Sequence, residues 1–272
     1  MDASPKTTGV KRFSAKGVSK SFGAVNALVD VDFDVDAGEV VALVGDNGAG
    51  KSTLIKAISG VQPCDAGAFW FDGEPVEIRS PLDAYNLGIA TVYQDLALCD
   101  NLDVVANLFL GSEVLEHGAG GAAGILDDIA MEQRTKELLT LLKVTSLRSV
   151  HTEVGSLSGG QRQSVAIARS LLGKPRLVIL DEPTAALGVT QTEQVLALIE
   201  RLRDQGLAVI IISHNLANVF RVADRIVVLR LGHWEAMFDG RTTTHDQVVA
   251  AITGASGGPV PPTPPAGVAV AS

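Results

Sequence analysis

The chain has 272 residues, 46% of them hydrophobic and 19% charged, which is enough apolar material for a sizeable core and excludes global disorder. Asp plus Glu number 31 against 22 Lys plus Arg, a formal charge of −9 that argues against a nucleic-acid-binding protein. A local phosphate site stays open, because a cradle of backbone N–H groups needs little net charge.

Residues 1 to 10 are polar and read as loose. From Phe13 to Phe33 an alternating pattern predicts short strands of a half-exposed sheet, with Val31, Phe33 and Val35 at period two. Val40 to Val44 is a continuous apolar run, the mark of a buried parallel strand. A Gly-rich turn follows, then a helical segment, Lys51 to Ser59, stopped by Gly60. Ala68 to Ile78 reads as a hairpin turning at Asp72-Gly73, Pro81 to Leu87 as a short helix, and Ile89 to Tyr93 as a strand.

The middle of the chain changes character. His117 to Gly124 reads as a Gly/Ala loop, Ile129 to Leu142 has apolar residues at helical spacing, and Ser158 to Leu172 forms a second helix. Strands at Leu177 to Leu180, Val209 to Ile212 and Ile226 to Leu229 then alternate with helices at Thr190 to Asp204 and near Asn215 to Val222. Such alternation predicts an open, largely parallel α/β sheet. From Ala255 onward the tail holds five of the eleven prolines and reads as flexible. No run approaches the roughly 18 apolar residues of a membrane span, and the Lys-rich start holds no apolar segment of signal-peptide type. A soluble, cytoplasmic chain is therefore expected, with any membrane role left to a partner. Cys64 and Cys99 have neither disulfide nor metal-ligand spacing and read as small buried thiols.

Gly45-Asp46-Asn47-Gly48-Ala49-Gly50-Lys51-Ser52 matches G-x-x-x-x-G-K-[ST], between a predicted strand and a predicted helix. Glycines let the backbone curl so that its N–H groups face phosphate oxygens, and the helix N-terminus adds positive potential. Lys51 would reach the β- and γ-phosphates and Ser52 would bind Mg²⁺. Further on, Leu177 to Leu180 ends in Asp181 and Glu182, two carboxylates at the edge where α/β sheets bind ligands. Asp181 suits the Mg²⁺ shell, and Glu182 suits orientation of an attacking water. Leu157-Ser158-Gly159-Gly160-Gln161 has capping-box spacing ahead of a helix. Its two glycines are poor helix formers that bare backbone N–H groups, as a second anion site would require.

These three motifs, in the chain order Walker A (Gly45 to Thr53), signature (Leu157 to Gln161) and Walker B (Leu177 to Asp181) and at this spacing, make the chain resemble the nucleotide-binding subunit of an ATP-binding cassette (ABC) transporter over about residues 12 to 254. The resemblance implies an α/β fold of P-loop NTPase, ABC ATPase type, with an antiparallel β subdomain and a helical signature subdomain at about residues 95 to 172. Residues 1–11 would be a flexible N-terminus and 255–272 a flexible tail. It implies ATP hydrolysis with Mg²⁺ in a head-to-tail homodimer, each ATP held between one subunit's Walker A (Gly45 to Thr53) and the other's signature (Ser158, Gly159, Gly160, Gln161). Phe22 matches the aromatic that stacks on adenine, with Phe13 as its rival. Gln94 matches the glutamine that senses Mg²⁺ and the γ-phosphate, and His214 the switch histidine on the γ-phosphate. Glu182, His214, Gln94 and Lys51 would carry catalysis, while Ser52, Gln94 and Asp181 would hold Mg²⁺. No role falls to His117, His151, His233 or His245, which lack partners at ligand spacing. Gly188 stands where the family usually has an Asp, so a cross-subunit contact there would run through backbone.

The wording of Gly45 to Thr53, Ala90 to Leu98 and Pro183 to Val189 is similar to ATPases of bacterial simple-sugar importers, in a single-cassette form. That implies an integral-membrane permease, an extracytoplasmic sugar-binding protein reached indirectly, and a peripheral position on the cytoplasmic face of the membrane. Asn101 to Leu110 would face the permease, although its apolar residues suit a core equally well. An exporter or a different importer is the alternative reading, and a cassette ATPase outside transport a more distant one.

Overall fold

The computed structural model of the chain describes residues 11–144 and 147–255. The loose start at residues 1–10 and the Pro-rich tail from residue 256 onward lie outside the described residues.

Two 12-residue strands, β1 (Lys11–Phe22) and β2 (Val25–Asp36), open the fold as one long antiparallel hairpin instead of several short strands. Register shifts at Ala15/Val18 and Val18/Lys20 explain the misreading, since each bulge resets the period-two alternation that marks a continuous strand. β3 (Val40–Val44) is fully buried and leads through the Gly-rich turn into α1 (Lys51–Ile58). β4 (Ala66–Phe71) and β5 (Glu74–Val76) form the predicted hairpin, and β4 also pairs with β1. After α2 (Pro81–Leu87) and β6 (Ile89–Val92) comes a helical block: α3 (Val104–Phe109), α4 (Ala119–Ala122), α5 (Asp128–Leu141) and α6 (Gly159–Ser170). The chain then runs through β7 (Leu177–Asp181), α7 (Val189–Asp204), β8 (Ala208–Ile212), α8 (Leu216–Val222), β9 (Arg225–Arg230), β10 (His233–Asp239) and α9 (His245–Thr253).

The strands form a four-stranded antiparallel sheet in the order β2-β1-β4-β5 and a six-stranded sheet in the order β10-β9-β3-β8-β7-β6. In the larger sheet every pairing is parallel except that of β10 with β9. Period-two alternation divides its side chains between two cores. Val40, Ala42, Val178, Leu180, Val209 and Ile211 face the helices, whereas Val41, Leu43, Leu177, Ile179 and Ile210 face α1 and the antiparallel sheet. Burial on both faces explains why these strands read as continuous apolar runs.

Several expectations need correction. Within His117 to Gly124 one helical turn, α4, replaces the loop, enclosed by hydrogen bonds from Glu116 N–H to Ile125 O (2.9 Å) and from Asp127 N–H to Val114 O (2.8 Å). Cys64 and Cys99 are free but only half-buried, since both sit on loops at the edge of the core. His151 does have partners: its Nδ1 is 3.0 Å from Asp103 Oδ2 and its Nε2 is 3.6 Å from Glu132 Oε1. Chain folding brings these together, so spacing in the sequence cannot show them. No helix among the described residues is long and apolar enough to cross a membrane.

At the end of the sheet remote from the Gly-rich turn, buried Arg225 ties β9 to the start of β3. Its guanidinium bonds both Glu39 oxygens and reaches Asp34 Oδ2 at 3.1 Å. Glu39 Oε2 also accepts the Asp36 N–H at 2.7 Å. Asp36 is buried beside them with its Oδ1 lacking a hydrogen-bond partner, and burial, then the Glu39 charge, push its carboxyl above the ordinary range.

Candidate nucleotide site

β3 ends at the carboxyl edge of the sheet, where the chain must turn sharply to enter α1. Gly45 makes the turn with φ 149°, against β9; a Cβ here would stand 2.2 Å from the Leu229 carbonyl oxygen. Only glycine fits. The first N–H groups of α1 have no acceptor within the helix, and Gly50 before it offers no side-chain cap. The helix start is therefore a set of donors aimed outward, which suits an anion.

Lys51 bends back over this loop. Its Nζ donates to the Gly45 carbonyl at 2.7 Å and to that of Asp46 at 2.9 Å. Burial lowers its pKa, while Glu182, Asp46 and Asp181 act in the opposite direction. Asp181 closes β7 one strand away, on the far side of β8 from β3. Burial, reinforced by the Glu182 charge, raises its pKa, and Lys51 opposes that shift.

Glu182 leaves the strand in the left-handed region, at φ 48°. A non-glycine residue there costs about 1 kcal/mol. The Glu182 N–H donates to the Ile212 carbonyl at 2.9 Å, and its side chain meets His214 at the end of β8. Gln94 follows β6, with the neighbouring Tyr93 hydroxyl fixed 3.0 Å from Ser59 Oγ.

A cleft of about 830 Å³ gathers Phe22, the loop from Gly45 to Thr53, Gln94, Asp181, Glu182 and His214. Five segments distant in sequence thus converge on one space. Phe22, at the tip of the β1–β2 hairpin, stays 43% exposed, whereas its rival Phe13 is fully buried and stacked on Phe69 with 5.8 Å between centroids. Phe13 is core. Sequence reasoning missed Val25, Asn26 and Ala27, which complete the wall beside Phe22. Their place across a tight hairpin from an aromatic was the available signal.

The four signature residues do not line this cleft. Ser158 caps α6: its Oγ accepts the Gln161 N–H at 3.4 Å, and Gln161 Oε1 accepts the Ser158 N–H at 2.9 Å. Gly160 packs so closely on α7 that a Cβ would lie 2.9 Å from Cβ of Gln191. Gly188, the residue before α7, is exposed and donates its N–H to Gln191 Oε1 at 3.2 Å. At its other end α6 holds the segment after Gln94, through Arg169 Nη1 to the Ala97 carbonyl (2.8 Å) and Nη2 to that of Leu96 (3.3 Å).

A phosphate loop between a parallel strand and a helix, faced by an Asp-Glu pair at the sheet edge, defines a P-loop nucleotide-binding ATPase. Residues 28–185 match the ABC transporter family. The chain is 45% identical to the fructose import ATP-binding protein of Rhizobium meliloti, over 89% of its own length and 94% of that protein's. It is 46% identical to the xylose/arabinose import ATP-binding protein of Sulfolobus acidocaldarius, over 80% and 84%. A dimeric ATP-binding cassette solved in a post-hydrolysis state with ADP and Pi superposes with a TM-score of 0.68 at 25% identity, covering 85% of this chain and all of that one. The chain belongs to the ABC transporter family as one of its ATP-binding subunits.

Proposed function

We propose that this chain hydrolyses ATP to drive import of a simple sugar through a membrane permease, as a peripheral subunit on the cytoplasmic side. The convergence of Lys51, Asp181, Glu182 and His214 on one cleft carries the ATPase reading. The similarity to fructose and xylose/arabinose import subunits supports the sugar.

Within the cleft, the α1 N-terminus and Lys51 bind the phosphates, and Phe22 stacks on the base. Ser52, Asp181 and Gln94 would hold Mg²⁺. Their donor atoms are oxygens, as this ion requires, and they line the same cleft. Mg²⁺ is ordinarily held by one or two carboxylates together with substrate phosphates, and Asp181 would supply the carboxylate here. When bound, Mg²⁺ neutralises charge on the phosphate oxygens. Glu182 then orients and polarises the attacking water, and His214 contacts the γ-phosphate.

Ser158, Gly159, Gly160 and Gln161 cap the nucleotide of a second copy in a head-to-tail dimer. The separation of these residues from the chain's own cleft supports that reading, as does the dimeric relative. Closure of the dimer on ATP and its opening after hydrolysis reset the permease, which receives sugar from an extracytoplasmic binding protein.

Uptake of radiolabelled fructose, xylose and ribose by a strain lacking this subunit tests the proposal. Loss of uptake of at least one sugar, restored by the wild-type chain and not by Glu182→Gln, is the expected result. Unchanged uptake across a wide sugar panel would overturn the assignment.

A further inference from the structure

We propose that Asp65 and Lys20 are positioning residues for nucleotide-base recognition, holding the Phe22 ring in the orientation that meets the base. The inference rests on the base-stacking reading of Phe22 given above.

Phe22 is the last residue of β1, at the tip of a hairpin whose next strand residue, Val25, is 65% exposed. A half-exposed ring at such a tip lacks a packed core to fix it, and ordering it on a ligand costs side-chain entropy. The strand ladder gives little help, because the β1–β2 register is irregular between Lys20 and Ser21, just before the ring.

Asp65 supplies the missing support from outside the hairpin. It stands immediately before β4 and takes hold of three consecutive residues of β1. Its Oδ1 accepts from Lys20 Nζ at 2.6 Å, its Oδ2 accepts the Ser21 N–H at 2.7 Å, and its own N–H donates to the Ser19 carbonyl at 2.8 Å. Across the tip, the Ser21 hydroxyl lies 3.0 Å from Asn26 Oδ1. Both bonds to the carboxylate hold it below the usual carboxyl range, so it stays charged at neutral pH.

Lys20 carries this hold to the ring itself. Its Nζ lies 5.8 Å from the Phe22 centroid, within the range of a cation–π contact. An exposed ion pair between Lys and Asp contributes little by itself. Here the pair keeps an ammonium over the aromatic ring, and the same carboxylate pins the backbone one residue away. Removing Asp65 releases groups that water can satisfy, so the loss falls on base affinity and leaves the core intact.

ADP and inorganic pyrophosphate separate base from phosphate recognition, and neither requires hydrolysis to be suppressed. Calorimetric titration of the full-length chain with each, in the presence of Mg²⁺, gives the test. Asp65→Ala and Lys20→Met should each weaken ADP about fivefold and leave pyrophosphate affinity unchanged. Asp65→Glu should recover part of the loss, and Asp65→Ala should add nothing in a Phe22→Ala background. Wild-type ADP affinity in both single variants, alongside a loss in Phe22→Ala, would overturn the inference and leave base stacking standing. An equal loss of ADP and pyrophosphate would also overturn it, by assigning Asp65 to the fold. Unchanged ADP affinity in Phe22→Ala would instead sink the stacking reading itself.

Discussion

Glu182 and His214 are joined twice: the His214 backbone N–H donates to Oε1 at 3.1 Å, and the ring Nδ1 lies 2.9 Å from Oε2. The carboxylate is mostly covered while the imidazole is 75% exposed, so the histidine forms the solvent-facing lid of the acid. Glu182→Gln keeps the shape and the bond to the backbone but removes the basic oxygen. Hydrolysis should fall by at least about a hundredfold with ATP binding retained. Steady-state turnover and nucleotide titration on the same preparation check this, and near-normal turnover would remove Glu182 from the mechanism.

Lys51 already binds two carbonyls of the loop that it serves, Gly45 and Asp46. Lys51→Ala removes both the loop's internal brace and the charge facing the phosphates. Affinity for Mg-ATP should drop at least about tenfold while thermal stability changes far less. Tight binding by the variant would contradict the phosphate-loop assignment.

His151 supplies a pH dependence. A hydrogen bond to Asp103, with support from Glu132, raises its pKa. Folding therefore favours the charged imidazole. The stabilisation is fully present below the ordinary histidine value and is lost as pH rises through the folded value. His151→Ala should lower the melting temperature at about pH 5.5 and have little effect at about pH 9. Thermal scans at both pH values decide it, and an equal loss at both would indicate packing instead of charge.

Asp36 shifts in the same direction for the opposite reason, because the fold disfavours its charged form. Its carboxyl binds a proton more tightly in the fold than in the unfolded chain, because burial and Glu39 both disfavour the charge. Its penalty is absent below the ordinary carboxyl range and complete above the raised folded value. Asp36→Asn should stabilise the protein by about 1 kcal/mol near neutrality, with the gain disappearing in acid. Denaturant unfolding at two pH values measures it, and a destabilised variant at neutral pH would contradict the reading.

The phosphate loop, the Asp181-Glu182 pair and the capped α6 helix are legible in the sequence because each is a contiguous run whose chemistry depends on local spacing. The central strands are legible because burial on both faces makes them uniformly apolar. The Lys20–Asp65 and His151–Asp103 pairs could not be read, since residues 45 and 48 positions apart meet only after the chain has folded. β10 escaped because it is a half-exposed antiparallel edge strand, mixed in pattern, whereas α9 is missed although its Thr244–Gln247 capping box and Gly254 stop are legible in the sequence. Gly188 shows another limit. Its sequence gives the missing carboxylate but not the backbone bond to Gln191 that occupies its N–H.

Arg169 gives the signature helix a second attachment. α6 is about 18 Å long, with Ser158 at one end and, at the other, a guanidinium gripping the carbonyls of Leu96 and Ala97, two and three residues after Gln94. A hydrogen-bonded helix is stiff along its axis, so the two ends have no slack between them. A displacement of the chain beyond Gln94 would therefore tilt α6 and sweep Ser158 through an arc. Arg169, together with Arg162 bound to Asp100 at 2.6 Å, would in this way gear the contents of one cleft to the aim of the signature surface on which the proposed dimer depends.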